Sequence, residues 1–167
     1  MNITLIGMPG AGKSSIGRTL ASKLGFDFLD TDNIIEKRAK FKLQKIIDKY
    51  GEATFLDMEQ QAVIGLGKID NCVICPGGSV VYSHKAMSFL KENSVIVFLE
   101  ADLECLKEHI SDISTRGIVG LKGKDLEDVY QQRRSLYEKY ADVTLKLSQD
   151  LTIMEHVECI IKSLPCP

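Results

Sequence analysis

The chain has 167 residues, one domain's worth at ~100–200 residues per domain, so a second core is not expected. Hydrophobic residues at 44% and charged residues at 26% exclude a disordered chain. Basic and acidic side chains number 21 and 23, a net charge of −2 that argues against a dedicated nucleic-acid binder, and the longest apolar run, Val95–Leu99, falls far short of the ~18 residues of a membrane span.

Strand-like and helix-like patterns alternate from end to end. Asn2–Ile6 is an aliphatic, β-branched run stopped by Gly7. Ser14–Leu24 has helical spacing, with Ile16, Leu20 and Leu24 on one face and Gly25 as the stop. Phe26–Leu29 predicts a second strand, ended by Asp30-Thr31-Asp32. Residues 33–68 read as mostly helical, broken near Tyr50-Gly51. Cys72–Cys75 is a third strand, terminated by Pro76-Gly77-Gly78 and expected to turn both thiols to one sheet face. Ser83 can cap a helix to about Glu92, Ser94–Leu99 is the clearest buried strand, and Asp102 caps a helix carrying Leu103, Leu106 and Ile110. Residues 111–124 hold Gly117, Gly120 and Gly123 and show no clean period. Asp125–Tyr140 returns to helix with Leu126, Val129, Tyr130, Tyr137 and Tyr140 on one stripe. Val143–Leu147 is the last strand, and Ile153, Val157, Ile160, Ile161 and Leu164 mark a closing helix.

Five strands separated by helices, several of them without alternation, predict an α/β fold: a three-layer, five-stranded parallel sheet in one domain over residues 1–167. The five cysteines are odd in number and no charged leader precedes the first strand pattern. A cytoplasmic protein with free thiols is therefore expected. Cys72-x-x-Cys75 has no second pair to make a metal site, and His156 reads as a helix-surface residue.

Gly7-Met8-Pro9-Gly10-Ala11-Gly12-Lys13-Ser14 matches G-x-x-x-x-G-K-[S/T] in full. Glycines let such a loop curl so that successive N–H groups face phosphate oxygens, while the following helix adds its positive dipole end. Lys13 then reaches the β- and γ-phosphates, and the Ser14 hydroxyl can ligate Mg²⁺. At ordinary residue frequencies the four fixed positions coincide by chance in about one such chain in two hundred, and here a strand precedes them and a helix follows. Gly10, Ala11, Gly12, Lys13, Ser14 and Ser15 are the nucleotide-binding candidates. A phosphate loop leaves three classes open: small-molecule kinase, nucleotide-hydrolysing switch, and motor or nucleic-acid ATPase. No N-K-x-D guanine motif occurs and the short chain lacks basic patches, which favours the small kinase.

Asp30 and Asp32 stand at the carboxyl end of the second strand, where ligands sit in doubly wound folds. One could serve Mg²⁺ and the other an acceptor hydroxyl, or one of the two could be a cap that starts the next helix. Here the chain resembles the shikimate kinase family. The resemblance rests on the phosphate loop, Asp30-Thr31-Asp32, Gly51-Glu52-xx-Phe55-xxx-Glu59, Gly77-Gly78, Arg116 and Arg133-xx-Leu136-Tyr137-Glu138. It implies ATP-dependent transfer to a hydroxyl of shikimate or a closely related acceptor, with Ser14 and Asp30 serving Mg²⁺. Lys13, Asp32 and Arg116 are implied as catalytic, Arg116 lying in a mobile lid over about 111–124. Asp32, Gly77, Gly78 and Arg133 are implied at the acceptor, Arg133 on its carboxylate, and His109 and Arg116 at the nucleotide. The partner is a small-molecule hydroxyl acceptor, without nucleic acid or membrane, and a monomer is expected. The alternatives are a kinase for another polyol, sugar acid or amino-alcohol, and a non-catalytic nucleotide-binding module.

Three positions depart from the family pattern. Leu56 stands where the family has an arginine for the acceptor carboxylate, a charge-assisted bond of ~1.5–3 kcal/mol. Ser79 replaces the third glycine of a triplet and is expected to strain the turn. His109 stands where the family often has an adenine-stacking arginine.

Overall fold

The computed structural model describes residues 1–109, 118–121 and 124–165. In chain order the elements are β1 (Ile3–Ile6), α1 (Lys13–Leu24), β2 (Asp27–Asp30), α2 (Thr31–Ala39), α3 (Leu43–Tyr50), α4 (Glu52–Ile64) and β3 (Cys72–Cys75). A short 3₁₀ turn (Val80–Tyr82) follows, then α5 (His84–Asn93), β4 (Val95–Glu100), α6 (Leu103–His109), α7 (Leu126–Tyr140), β5 (Val143–Lys146) and α8 (Ile153–Ser163). The strands form one sheet in the order β2-β3-β1-β4-β5, and every pairing is parallel.

The unalternating strands are the central ones. All residues of β1 and β3 are buried, because helices cover both faces of the sheet, whereas the edge strand β5 alternates between half-buried and exposed. On one face Ile16 and Leu20 of α1 and Val157 and Ile160 of α8 pack on Leu5, Val73 and Val97. On the other, Met87 and Leu90 of α5 and Val129 and Tyr137 of α7 pack on Ile6, Ile74 and Phe98. A third cluster of Ile35, Ile46, Phe55 and Ala62 knits α2, α3 and α4 together and takes in Val119. Among the described residues no helix is long and apolar enough to cross a membrane.

Several sequence expectations are corrected. Cys72 and Cys75 lie on opposite faces of the sheet, one in each large cluster, because a spacing of three is odd in a period-two strand. His156 is buried, its Nε2 accepting the Ser148 N–H at 3.1 Å. The helical stretch expected over 33–68 has a second break. Lys40 takes φ 58° and ends α2, and the Glu36 carboxylate bridges the gap by accepting from Lys42 Nζ and the Leu43 N–H. Of the segment expected to form a lid, residues 118–121 and 124 are the described ones. Ile118 and Val119 are buried, and the Gly120 N–H donates to Glu52 Oε1 at 2.9 Å. Ile110 lies outside the described residues.

Candidate active site

The site is built from the loops at the carboxyl ends of β1, β2 and β3. After β1 the loop curls through Gly10 and Gly12, at φ 84° and 83°. Helix α1 starts at Lys13 with no side-chain cap from Gly12, so its leading N–H groups are left for an anion. The Lys13 ammonium folds back on the loop, donating to the carbonyls of Gly7 and Met8 at 2.9 Å each. Burial pulls its pKa below the ordinary lysine value, and the charge of Asp32 opposes that shift. Beneath the loop, burial pushes the Cys75 thiol up to about 12, which keeps it neutral.

After β2, Asp30 caps the next helix and reaches the phosphate loop. Its Oδ1 accepts the Asp32 N–H at 3.1 Å and caps α2, while its Oδ2 accepts the Ser14 hydroxyl at 2.9 Å. A hydroxyl and a carboxylate oxygen thus stand side by side at the phosphate loop, a hard-oxygen set that suits Mg²⁺. Among the described residues no three His, Cys, Asp or Glu side chains gather into a metal cage.

Asp32, one residue into α2, is half-buried, with its Oδ1 turned away from solvent. Desolvation first and the Asp30 charge second raise its carboxyl to about 6. Among the described residues its Oδ1 has no partner, and neither does Glu59 Oε1 of α4. Both atoms crowd Gly77 after β3. A Cβ at residue 77 would overlap Glu59 Oε1 and lie 2.8 Å from Asp32 Oδ1, and one at residue 78 would lie 2.8 Å from Pro9 Cδ. These glycines are therefore set by space. Ser79 sits at φ −86°, ψ −4°, so the strain expected there is absent. Its hydroxyl donates to Glu59 Oε2.

From α7, Arg133 reaches the same recess with 1% exposure. Its Nη2 donates to the Val119 carbonyl at 2.7 Å and its Nε to the Tyr82 hydroxyl at 3.3 Å. One helical turn on, the Tyr137 hydroxyl donates to the Gly78 carbonyl at 2.6 Å and fixes the turn.

Three cavities run in series. The outermost, about 490 Å³, is lined by Ala11, Ile16, Cys105, His109, Gln149 and His156 among others. A second, about 420 Å³, spans the phosphate loop and includes Ser14, Asp30 and Asp32. The third is a recess of about 50 Å³ lined by Asp32, Phe55, Glu59, Gly77, Gly78 and Arg133, with Leu43 and Pro9 closing it. Gly10, Gly12, Ser15 and His109 line both the first and the second, and His109 Nδ1 lies 3.2 Å from the Gly10 carbonyl oxygen. Lys13 and Asp32 line both the second and the third. Arg116 lies outside the described residues. Leu56 does not line the recess; it packs, half-buried, against the α2–α4 cluster.

Sequence reasoning did not pick out Glu59, Ser79 or Tyr137 as site residues. An acid on the apolar face of α4, four residues after Phe55, was a usable signal for Glu59. Tyr137, four residues after Arg133, lies on the helical stripe that the spacing predicts, and its hydroxyl is what brings it into the site.

A parallel sheet, a phosphate loop and a second recess meeting it at a lysine and an aspartate define a phosphotransferase that uses ATP on an alcohol acceptor. The family model for shikimate kinase matches residues 9–164. Shikimate kinase of Caldanaerobacter subterraneus subsp. tengcongensis is 35% identical over 97% of this chain and 95% of its own. That of Thermodesulfovibrio yellowstonii is 36% identical over 96% and 93%. The structure of Acinetobacter baumannii shikimate kinase in complex with shikimate superposes with a TM-score of 0.89 at 28% identity, covering 96% of this chain and 90% of that one. The chain belongs to the shikimate kinase family.

Proposed function

We propose that the protein transfers the γ-phosphoryl group of ATP to a hydroxyl of shikimate, with donor and acceptor meeting between Lys13 and Asp32. The observation that carries this reading is the pair of residues shared by the phosphate-loop cavity and the recess. The leading N–H groups of α1 hold the phosphates, and the Lys13 ammonium turns from its loop carbonyls to the charge on the transferring group. Asp32 Oδ1 accepts the hydrogen bond of the attacking hydroxyl and orients its oxygen in line. As the new O–P bond forms and the bond to ADP breaks, the hydroxyl proton passes to this carboxylate. Ser14 and Asp30 would hold Mg²⁺, which would neutralise charge on the phosphate oxygens. Arg133 pairs with the acceptor's carboxylate.

The free thiols of Cys72, Cys75, Cys105 and Cys159 support a cytoplasmic setting. The test is ADP release from ATP–Mg²⁺ against shikimate, quinate, gluconate, inositol, homoserine and nucleoside monophosphates. Shikimate is expected to give the highest kcat/KM. A preferred nucleoside monophosphate, or tight ATP binding without turnover on any acceptor, refutes the reading.

A further inference from the structure

Glu59 is 2% exposed, and the fold leaves one of its oxygens without a donor. A buried oxygen in that condition is costly and calls for an explanation. The neighbours of the recess do not supply the donor. Neither Lys13, which donates to the carbonyls of Gly7 and Met8, nor Arg133, which donates to the Val119 carbonyl and the Tyr82 hydroxyl, makes a hydrogen bond to this oxygen. Leu43, Phe55 and Pro9 have no polar hydrogen to give, and Leu56 on α4 offers no charge. The other oxygen, Oε2, is held by the Ser79 hydroxyl.

We infer that Glu59 is a specificity-determining residue whose Oε1 receives a hydrogen bond from a hydroxyl of the acceptor, and that Ser79 is the positioning residue that aims it. The inference rests on the recess being the acceptor site. Asp32 Oδ1 and Glu59 Oε1 both face Gly77, whose missing side chain leaves room for both. They present two acceptor oxygens to one small molecule, which suits a compound with more than one hydroxyl on adjoining carbons. The third residue of the turn thereby has a task that glycine cannot perform. Without the Ser79 hydroxyl the carboxyl would be free to rotate away.

The pH dependence follows from the surroundings. Burial pushes the Glu59 carboxyl up to about 7, and Asp32 of α2 adds to the rise. The Ser79 hydrogen bond, Arg133 of α7 and Lys13 of α1 oppose it. Ionised, Glu59 is the stronger acceptor, so KM for shikimate is expected to fall as pH rises through about 7. Ser79→Ala removes a group that lowers this pKa and moves the change to higher pH.

The experiment compares wild type, Glu59→Gln and Ser79→Ala on shikimate and on analogues each lacking one hydroxyl, read as KM or as Ki where the analogue is not phosphorylated. Glu59→Gln, nearly isosteric, is expected to raise KM for shikimate ~10-fold or more while KM for ATP stays put. For one analogue the penalty should vanish, since the hydroxyl that Glu59 receives is gone. Ser79→Ala should raise KM for shikimate several-fold and shift its pH profile upward. An equal penalty on shikimate and every analogue, or an unmoved pH profile in Ser79→Ala, would overturn the inference and leave Glu59 as a brace for the turn. Turnover of shikimate by the wild type tests the reaction separately from these ratios.

Discussion

Gly77→Ala puts the shape of the recess to the most direct test. The added methyl carbon would overlap Glu59 Oε1 and come within 2.8 Å of Asp32 Oδ1, where carbon contacts normally lie at ~3.5 Å or more. One or both carboxyls must therefore withdraw by on the order of 1 Å. Glu59 has little slack, because Ser79 holds its other oxygen. Overpacking of this kind costs ~1–3 kcal/mol, which for a domain of this size lowers Tm by roughly 2–12 °C. A misplacement near 1 Å at the attacking hydroxyl lowers kcat/KM for shikimate by ~10²-fold.

The assays are thermal unfolding and ADP release with shikimate and ATP varied in turn. Gly25→Ala is the control. Gly25 sits at φ 67° with open space around it, so the variant should lose ~1 kcal/mol of stability and keep its activity. A Gly77→Ala enzyme with wild-type kcat/KM for shikimate would refute the placement of the two carboxyls.

Asp30→Asn should raise the Mg²⁺ concentration needed for half-maximal rate, whereas Asp32→Asn should lower kcat with KM for ATP near normal. Identical defects, both relieved by extra Mg²⁺, would remove the division of labour between them. Glu59, raised from 4.5 to about 7, keeps its proton longer in the folded state, so the ligand-free protein loses stability as pH rises from about 4.5 through 7, by at most about 3 kcal/mol. Urea midpoints at pH 5 and pH 8 should differ less in Glu59→Gln than in wild type, and equal differences would contradict the assignment. Leu56→Arg puts a guanidinium three residues from Glu59 on α4, long enough to reach the recess that Leu56 does not line. KM for shikimate should fall by the equivalent of ~1–2 kcal/mol, and an unchanged KM would mean that position 56 faces the helical cluster alone.

What was legible in the sequence was what is encoded locally. The phosphate loop is a run of eight residues between a strand and a helix, and its spacing states its own geometry. The same holds for the Ser83 and Asp125 caps and for the unalternating runs of β1, β3 and β4, which predicted a sheet covered on both faces. The second break in the helical stretch was invisible because a lysine, not a glycine, takes the left-handed conformation at residue 40, with Glu36 bridging the gap. His156 was misread because its partner is a backbone N–H on the segment after β5, outside its own helix. The two thiols of β3 were assigned to one face although their spacing of three is odd.

The acceptor recess was the least legible part, and the reason is topological. Its walls come from the phosphate loop, α2, α3, α4, the turn after β3 and α7, and no short window of sequence contains more than two or three of them. Glu59 and Ser79 are 20 residues apart in the chain, so the bond between them had no signature in the pattern of either segment. Read alone, Ser79 was a defect in a glycine turn and Leu56 a missing charge. In the fold the serine holds the Glu59 carboxyl, while Leu56 packs into the α2–α4 cluster. Where the family pattern puts an arginine on α4, this chain leaves Glu59 facing the recess, and the serine supplies the hydroxyl that holds it there. The chemistry of transfer is written in contiguous residues around Lys13 and Asp32. The choice of acceptor rests on contacts that exist only once the sheet has brought its loops together.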